Sequence, residues 1–157
     1  MQKALLFLAL ALLPIFVACG KGANPVEVQQ KFFAAVDKGD VAGALTYVSD
    51  DAVFQVLGCP PDGCKGKNAV KGATEGVVAQ HPRHTVKSSK VSGNTATSRV
   101  EVEIDLAKAA GAQRIILTTT VEIKDGKLVL LRGQPDASDP QTAKFVEFLQ
   151  KQTPPAR

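Results

Sequence analysis

Halfway along this chain the apolar residues change their spacing, and that change constrains the fold more than any single motif does. In the first half they recur at three- and four-residue steps, as in Val28, Phe32, Phe33 and Val36. In the second half they alternate: Ala96, Ser98, Val100, Val102 and Ile104 stand against Thr97, Arg99, Glu101, Glu103 and Asp105. A strand of that kind turns one face to a core and the other to water or a polar surface. Helices first and antiparallel strands afterwards specify an α+β domain, with the helices packed on one face of a curved sheet.

Local signals set the boundaries. Asn24 is placed to cap a helix with Pro25 at its first position, and Gly39 ends it. Asp40 opens a second, short helix through Val41, Ala44, Leu45 and Val48, stopped by Ser49-Asp50-Asp51. Residues 52–57 are short, β-branched and bounded by Gly58, and read as a strand. After Gly66-Lys67-Asn68, Val70, Ala73, Val77 and Val78 mark a third helix despite Gly72 and Gly76, each costing roughly 1 kcal/mol against alanine. Strands are expected over 84–91, 96–105, 114–123 and 127–132, with Ser92-Gly93-Asn94 and Lys124-Asp125-Gly126 as turns. Asp139 and Pro140 begin a last helix, stopped by Pro154-Pro155, whose face Phe145, Phe148 and Leu149 either packs on the domain or serves as a lid or docking surface.

The start of the chain has its own logic. Lys3 precedes an unbroken apolar run from Ala4 to Ala18, and Cys19 follows. The run is shorter than the roughly 20 residues a spanning helix needs, so it reads as a secretory signal peptide. Phe16-Val17-Ala18-Cys19 resembles the lipobox of bacterial lipoproteins, which implies lipid on the Cys19 sulfur and attachment to the cell envelope, the outer membrane in a Gram-negative host. The organisation expected is therefore a leader over 1–18, a lipidated cysteine and tether over 19–24, a domain over 25–151 and a tail over 152–157. Within the domain, 25–135 form the core and 139–151 the C-terminal helix.

The chain has 19 basic and 15 acidic side chains, and loss of Lys3 lowers its net charge from +4 to +3. That balance, with aromatic residues at 5% and no Trp, excludes a base-stacking nucleic-acid platform. Once Cys19 is assigned to lipid, Cys59 and Cys64 remain, separated by Pro60-Pro61-Asp62-Gly63. In an exported protein the expected outcome is a structural disulfide closing a tight turn, with free thiols or a metal or redox pair as alternatives.

The run Val28-Gln29-Gln30-Lys31-Phe32-Phe33-Ala34-Ala35-Val36-Asp37-Lys38-Gly39-Asp40, followed by Leu45 and Asp50-Asp51-Ala52-Val53-Phe54, resembles the opening of SnoaL-like domains of the nuclear-transport-factor-2-like superfamily. Gly66-Lys67-Asn68-Ala69-Val70, Val91-Ser92-Gly93-Asn94-Thr95-Ala96 and Lys124-Asp125-Gly126-Lys127-Leu128 extend the likeness to about residue 135. The resemblance implies a cone of helices and bent sheet around an apolar pocket, often dimeric through the outer sheet face. Enzymes, binding modules and assembly domains share that fold, so the site decides between them.

Ketosteroid isomerases in the superfamily place a tyrosine where Phe32 stands, the proton-moving aspartate at Val56 and a second donor at Thr119. None of these side chains can move a proton. The resemblance thus implies a pocket of hydrocarbon walls, with Phe32, Phe33, Val36, Phe54, Val56 and Thr119 as its candidate lining. SnoaL-like cyclases use an aspartate–histidine pair, which His84 with Asp50 or Asp51 would imitate. His81 and His84 flank Pro82 with no carboxylate or cysteine beside them in sequence, so neither a metal site nor a cofactor is expected. The function expected is noncatalytic binding of a small apolar ligand or an envelope partner, with a His–Asp enzyme and a purely structural domain as alternatives.

Overall fold

The computed structural model describes residues 22–152. The leader, Cys19 and the Pro154-Pro155 stop lie outside the described residues. Among those described, no helix is long and apolar enough to cross a membrane.

Three helices and two strands come first: α1 (Pro25–Asp37), α2 (Val41–Leu45), β1 (Val48–Gln55), β2 (Cys64–Lys65) and α3 (Lys67–Val78). A meander follows, β3 (Arg83–Ser92), β4 (Thr95–Glu103), β5 (Ile115–Lys124) and β6 (Lys127–Pro135), with α4 (Asp105–Ala109) between β4 and β5. The last element is α5 (Pro140–Gln152). The strands form one open sheet in the order β2-β1-β6-β5-β4-β3.

Local chemistry starts and stops the helices as the sequence indicates. The Asn24 side chain accepts from the Val26 N–H at 2.9 Å, and Pro25 occupies the first turn. Asp40 caps α2 by accepting from the Gly43 N–H at 2.8 Å. The apolar stripe of α1 lies along the sheet's inner face, with Val28, Phe32, Phe33 and Val36 all buried. Along β4 the alternation is kept: Ala96, Ser98, Val100 and Val102 are buried, while Thr97 and Arg99 are exposed.

Four features differ from the sequence expectation. Val48 does not extend α2; it is fully buried in β1, and the Leu128 N–H donates to the Tyr47 carbonyl at 2.7 Å, drawing the chain into the sheet early. A bulge between Val48 and Val53 absorbs Ser49-Asp50-Asp51 within β1. The β1–β6 pair is parallel, so the sheet is not wholly antiparallel; the chain returns to β1 only after crossing the helical layer and the meander. Asp105 leaves β4 and begins α4, where alanines at 107, 109 and 110 favour helix and Gly111, at φ +75°, ends it.

Cys59 and Cys64 form a disulfide with 5.2 Å between Cα atoms. The turn it closes needs Gly63, whose φ is +91° and where a Cβ would stand 3.0 Å from the Phe54 carbonyl oxygen. The bond ties the loop that follows β1 to β2, which has only two residues. At the opposite end of the sheet the incoming chain passes the β5–β6 turn, where a Cβ on Gly126 would lie 3.7 Å from the Ala23 methyl.

Helix α5 is fixed by its first turn. Asp139 Oδ1 accepts from the Thr142 N–H and hydroxyl, both at 2.9 Å, and Oδ2 accepts from Arg114 at 3.1 Å. The Thr142 Oγ1 in turn accepts from the Ile116 N–H at 2.8 Å, which joins the helix to β5. The Thr142 amide, then its hydroxyl and Arg114, hold the Asp139 carboxyl below its ordinary range. A depressed folded value stabilises above the unfolded value of about 3.9 and is lost as pH falls through the folded one. Amide protection factors at residues 142–149, taken relative to the intrinsic exchange rate at each pH, are therefore expected to fall on acidification from pH 5 to 2, and Asp139→Asn should flatten that dependence. Unchanged protection in the native protein across this range would contradict the assignment.

Candidate functional site

Between α1, α3, α5 and the concave side of the sheet lies a cavity of about 270 Å³. Phe32, Phe33, Val36, Phe54, Val56 and Thr119, the sequence candidates, all line it. Phe32 meets Phe54 edge to face at 5.5 Å between centroids, closing the floor. Ala73, Thr74 and Val77 of α3 line one side, and the sheet contributes the ends of β4, β6 and β1 and the starts of β3 and β5. Phe145 and Leu149 of α5 complete the wall, so this helix packs on the domain as part of the cavity's enclosure. Leu57, half exposed, marks where the cavity meets solvent.

The hydrocarbon wall is interrupted by His84. This corrects the expectation of a pocket without ionisable groups. His84 also has a different partner from the one expected: its Nδ1 lies 2.5 Å from Asp37 Oδ1, and its backbone N–H donates to Asp37 Oδ2 at 3.0 Å. Phe33 stacks on the imidazole at 4.3 Å, nearly parallel, and the side chain is 10% exposed. One carboxylate thus holds both the strand and the ring, and Phe33 fixes the ring plane. With Nδ1 against a carboxylate, Nε2 is the atom left to accept a hydrogen bond or a proton.

Asp50 and Asp51 cannot supply that partner because they sit on β1, four strands away from β3 in the sheet order. Asp50 is paired with Lys67 at 3.3 Å and its side chain is 91% exposed. Asp51 accepts from the Ser49 hydroxyl at 2.5 Å, the main cause of its lowered pKa. His81 points away, 82% exposed, with its Nδ1 2.7 Å from Asp105 Oδ2. Among the described residues no group of three or more His, Cys, Asp or Glu side chains is placed to hold a metal ion.

A second polar feature lies behind the wall. The fully buried Gln29 of α1 donates from Nε2 to Thr119 Oγ1 at 2.6 Å and accepts from the Ser98 hydroxyl at 2.8 Å. Ser98 Oγ is 2.9 Å from Ser89 Oγ, and the Thr119 hydroxyl donates to the Ser98 carbonyl at 3.3 Å. The network joins α1 to β3, β4 and β5, and Thr119 is its member on the cavity surface.

Sequence reasoning missed Asp37 and Gln29, although both break a local rule. Asp37 is an acid in the last turn of a helix, where the helix dipole favours a cation. Gln29 is polar on the stripe of Val28, Phe32, Phe33 and Val36, one helical turn before Phe33.

Comparison with known proteins places the chain in this structural context. No curated protein matches it. Among solved structures, the Δ5-3-ketosteroid isomerase from Mycobacterium sp. is similar over 74% of this chain and 96% of its own, at 21% identity and TM-score 0.61. An LEH-like epoxide hydrolase of M. tuberculosis is similar over 82% and 96%, at 15% identity and TM-score 0.60. A computationally designed 17-OHP binder is similar over 74% and 94%, at 19% identity and TM-score 0.63. At these identities the likeness establishes a shared nuclear-transport-factor-2-like fold. The SnoaL-like domain model matches residues 30–131, and the chain belongs to that family.

Proposed function

We propose that this chain is an exported domain, held to the cell envelope by lipid on Cys19, that binds a small apolar molecule in its cavity. The cavity carries the binding half of the reading. Its volume, about 270 Å³, lies near the lower end for small-molecule sites, and its walls are hydrocarbon with few polar groups, as such sites usually are. The anchor is supported by Lys3, the apolar run and Cys19 in that order.

Two measurements test it. Gly133 faces the cavity, and a Cβ there would meet Leu117 and Val56 at an ordinary 3.8 Å, so Gly133→Val fills the space without clashing at the backbone. The native protein is expected to take up the neutral dye N-phenyl-1-naphthylamine, and Gly133→Val to weaken that uptake at least tenfold. Equal uptake by the two would remove the cavity as the site. Protein from membranes of expressing bacteria should begin at Cys19 with acyl mass attached, and Cys19→Ser should move it to the soluble fraction. An unmodified mature chain ends the anchoring proposal.

One observation favours a second reading, that of a general-base enzyme: the Asp37–His84 pair at the cavity wall. With Nδ1 held, Nε2 has the role of a base taking a proton from a bound carbon acid. Deuterium exchange at the carbon next to the carbonyl of 2-tetralone, followed by NMR, separates the readings. The binding reading expects no acceleration by the native protein over His84→Gln. A large, His84-dependent acceleration would make the chain an enzyme.

A further inference from the structure

We infer that Thr119 presents an acceptor, and no donor, to the cavity, so that the site selects apolar ligands carrying a hydroxyl over matching ketones. The inference rests on the reading that this cavity binds a small molecule and adds the chemistry of the ligand.

A threonine hydroxyl has one proton and two lone pairs. At Thr119 one lone pair receives the Gln29 Nε2–H at 2.6 Å, and the proton goes to the Ser98 carbonyl at 3.3 Å. The network behind it is directional. The Ser98 proton is committed to Gln29 Oε1 at 2.8 Å, so Ser89 donates to Ser98 across 2.9 Å. Turning the Gln29 amide over would reverse the chain and send the Thr119 proton to Gln29 Oε1 instead. In either orientation the protein consumes that proton and leaves a free lone pair on the hydroxyl of a residue that lines the cavity.

His84 has the same polarity. Its Nδ1–H is directed to Asp37, and in the neutral ring Nε2 is an acceptor. The remaining polar side chain of the lining, Thr74, gives its proton to the Val70 carbonyl at 2.8 Å, so all three polar side chains in an otherwise hydrocarbon wall look for a donor. A ligand O–H satisfies such an acceptor. A ketone oxygen places lone pair against lone pair and gives up its own hydrogen bonds to water without replacement. Beside Thr119, its strand neighbour Gly133 has no side chain, which leaves room for the ligand's polar end.

The test uses two near-isosteric probes, 2-tetralol and 2-tetralone, as competitors of N-phenyl-1-naphthylamine in the native protein. Half-displacement by the alcohol is expected at a concentration roughly tenfold or more below that of the ketone, the scale of one unmatched buried polar group. Thr119→Ser should keep the preference. Thr119→Val, and Gln29→Leu/Thr119→Val where the single change unfolds the protein, should shrink it at least threefold. Equal displacement by the two probes, a preference for the ketone, or a preference undiminished by removal of the Thr119 hydroxyl would each overturn the assignment while leaving cavity binding intact. If neither probe nor the dye binds, the binding reading falls and this inference with it.

Discussion

One helix lying in the hollow of a bent sheet organises this molecule. α1 touches four of the six strands, β3 to β6, and no other helix spans as much of the sheet. Its apolar stripe supplies the main hydrophobic drive, since burying a Phe or Val side chain contributes roughly 1.5–3 kcal/mol. The same helix carries Gln29 into the core and Asp37 to the edge strand, and these two residues decide how α1 sits along its axis and in rotation. Hydrocarbon packing tolerates sliding by a fraction of a turn. A fully buried amide that must meet both Ser98 and Thr119 does not, because missing either partner leaves a polar group stranded away from water.

Because that register is fixed by polar contacts, the aromatic residues need not fill the interior completely. Phe32 and Phe54 meet at the floor and Phe33 lies against His84, leaving space between them and α5. Dense packing is the rule in protein cores, so a hollow of this size, open to solvent beside Leu57, is retained at a cost in stability. Such a cost is common where a site must admit a ligand. The disulfide and the Asp139 cap act on the same region from outside, one holding the rim at the end of β1 and the other the start of α5.

Much of the fold was legible because the signals were local. Asn24-Pro25, the change of period before β4 and the Asp125-Gly126 turn each act within a few residues, and each appears in the structure where the sequence implies. The parallel β1–β6 pair was not legible, since it depends on how far the chain travels before returning to the first strand. The short α4 was hidden by the alternation running into it. In the site, spacing put Phe32, Phe33 and Val36 on one apolar stripe, and the family resemblance implied that they line a pocket. The His84 partner was not, because 47 residues separate it from Asp37 and only the packing of α1 on β3 brings them together. Asp50 and Asp51 looked suitable by composition, yet the order of strands puts them at the other margin of the sheet.

The nearness of Ala23 to the β5–β6 turn has a geometric consequence for a chain tethered at its N-terminus. The cavity is lined on β5 from Ile115 to Thr119, whereas Ala23 arrives beside the turn that follows Lys124, at least five residues or about 17 Å along the same strand. Under the proposed lipid anchor at Cys19, a short leash would hold the hairpin end toward the lipid and aim Leu57 and the cone's opening into the aqueous space. Cargo would then be exchanged with molecules in solution or with a facing protein, not drawn sideways out of the bilayer beneath.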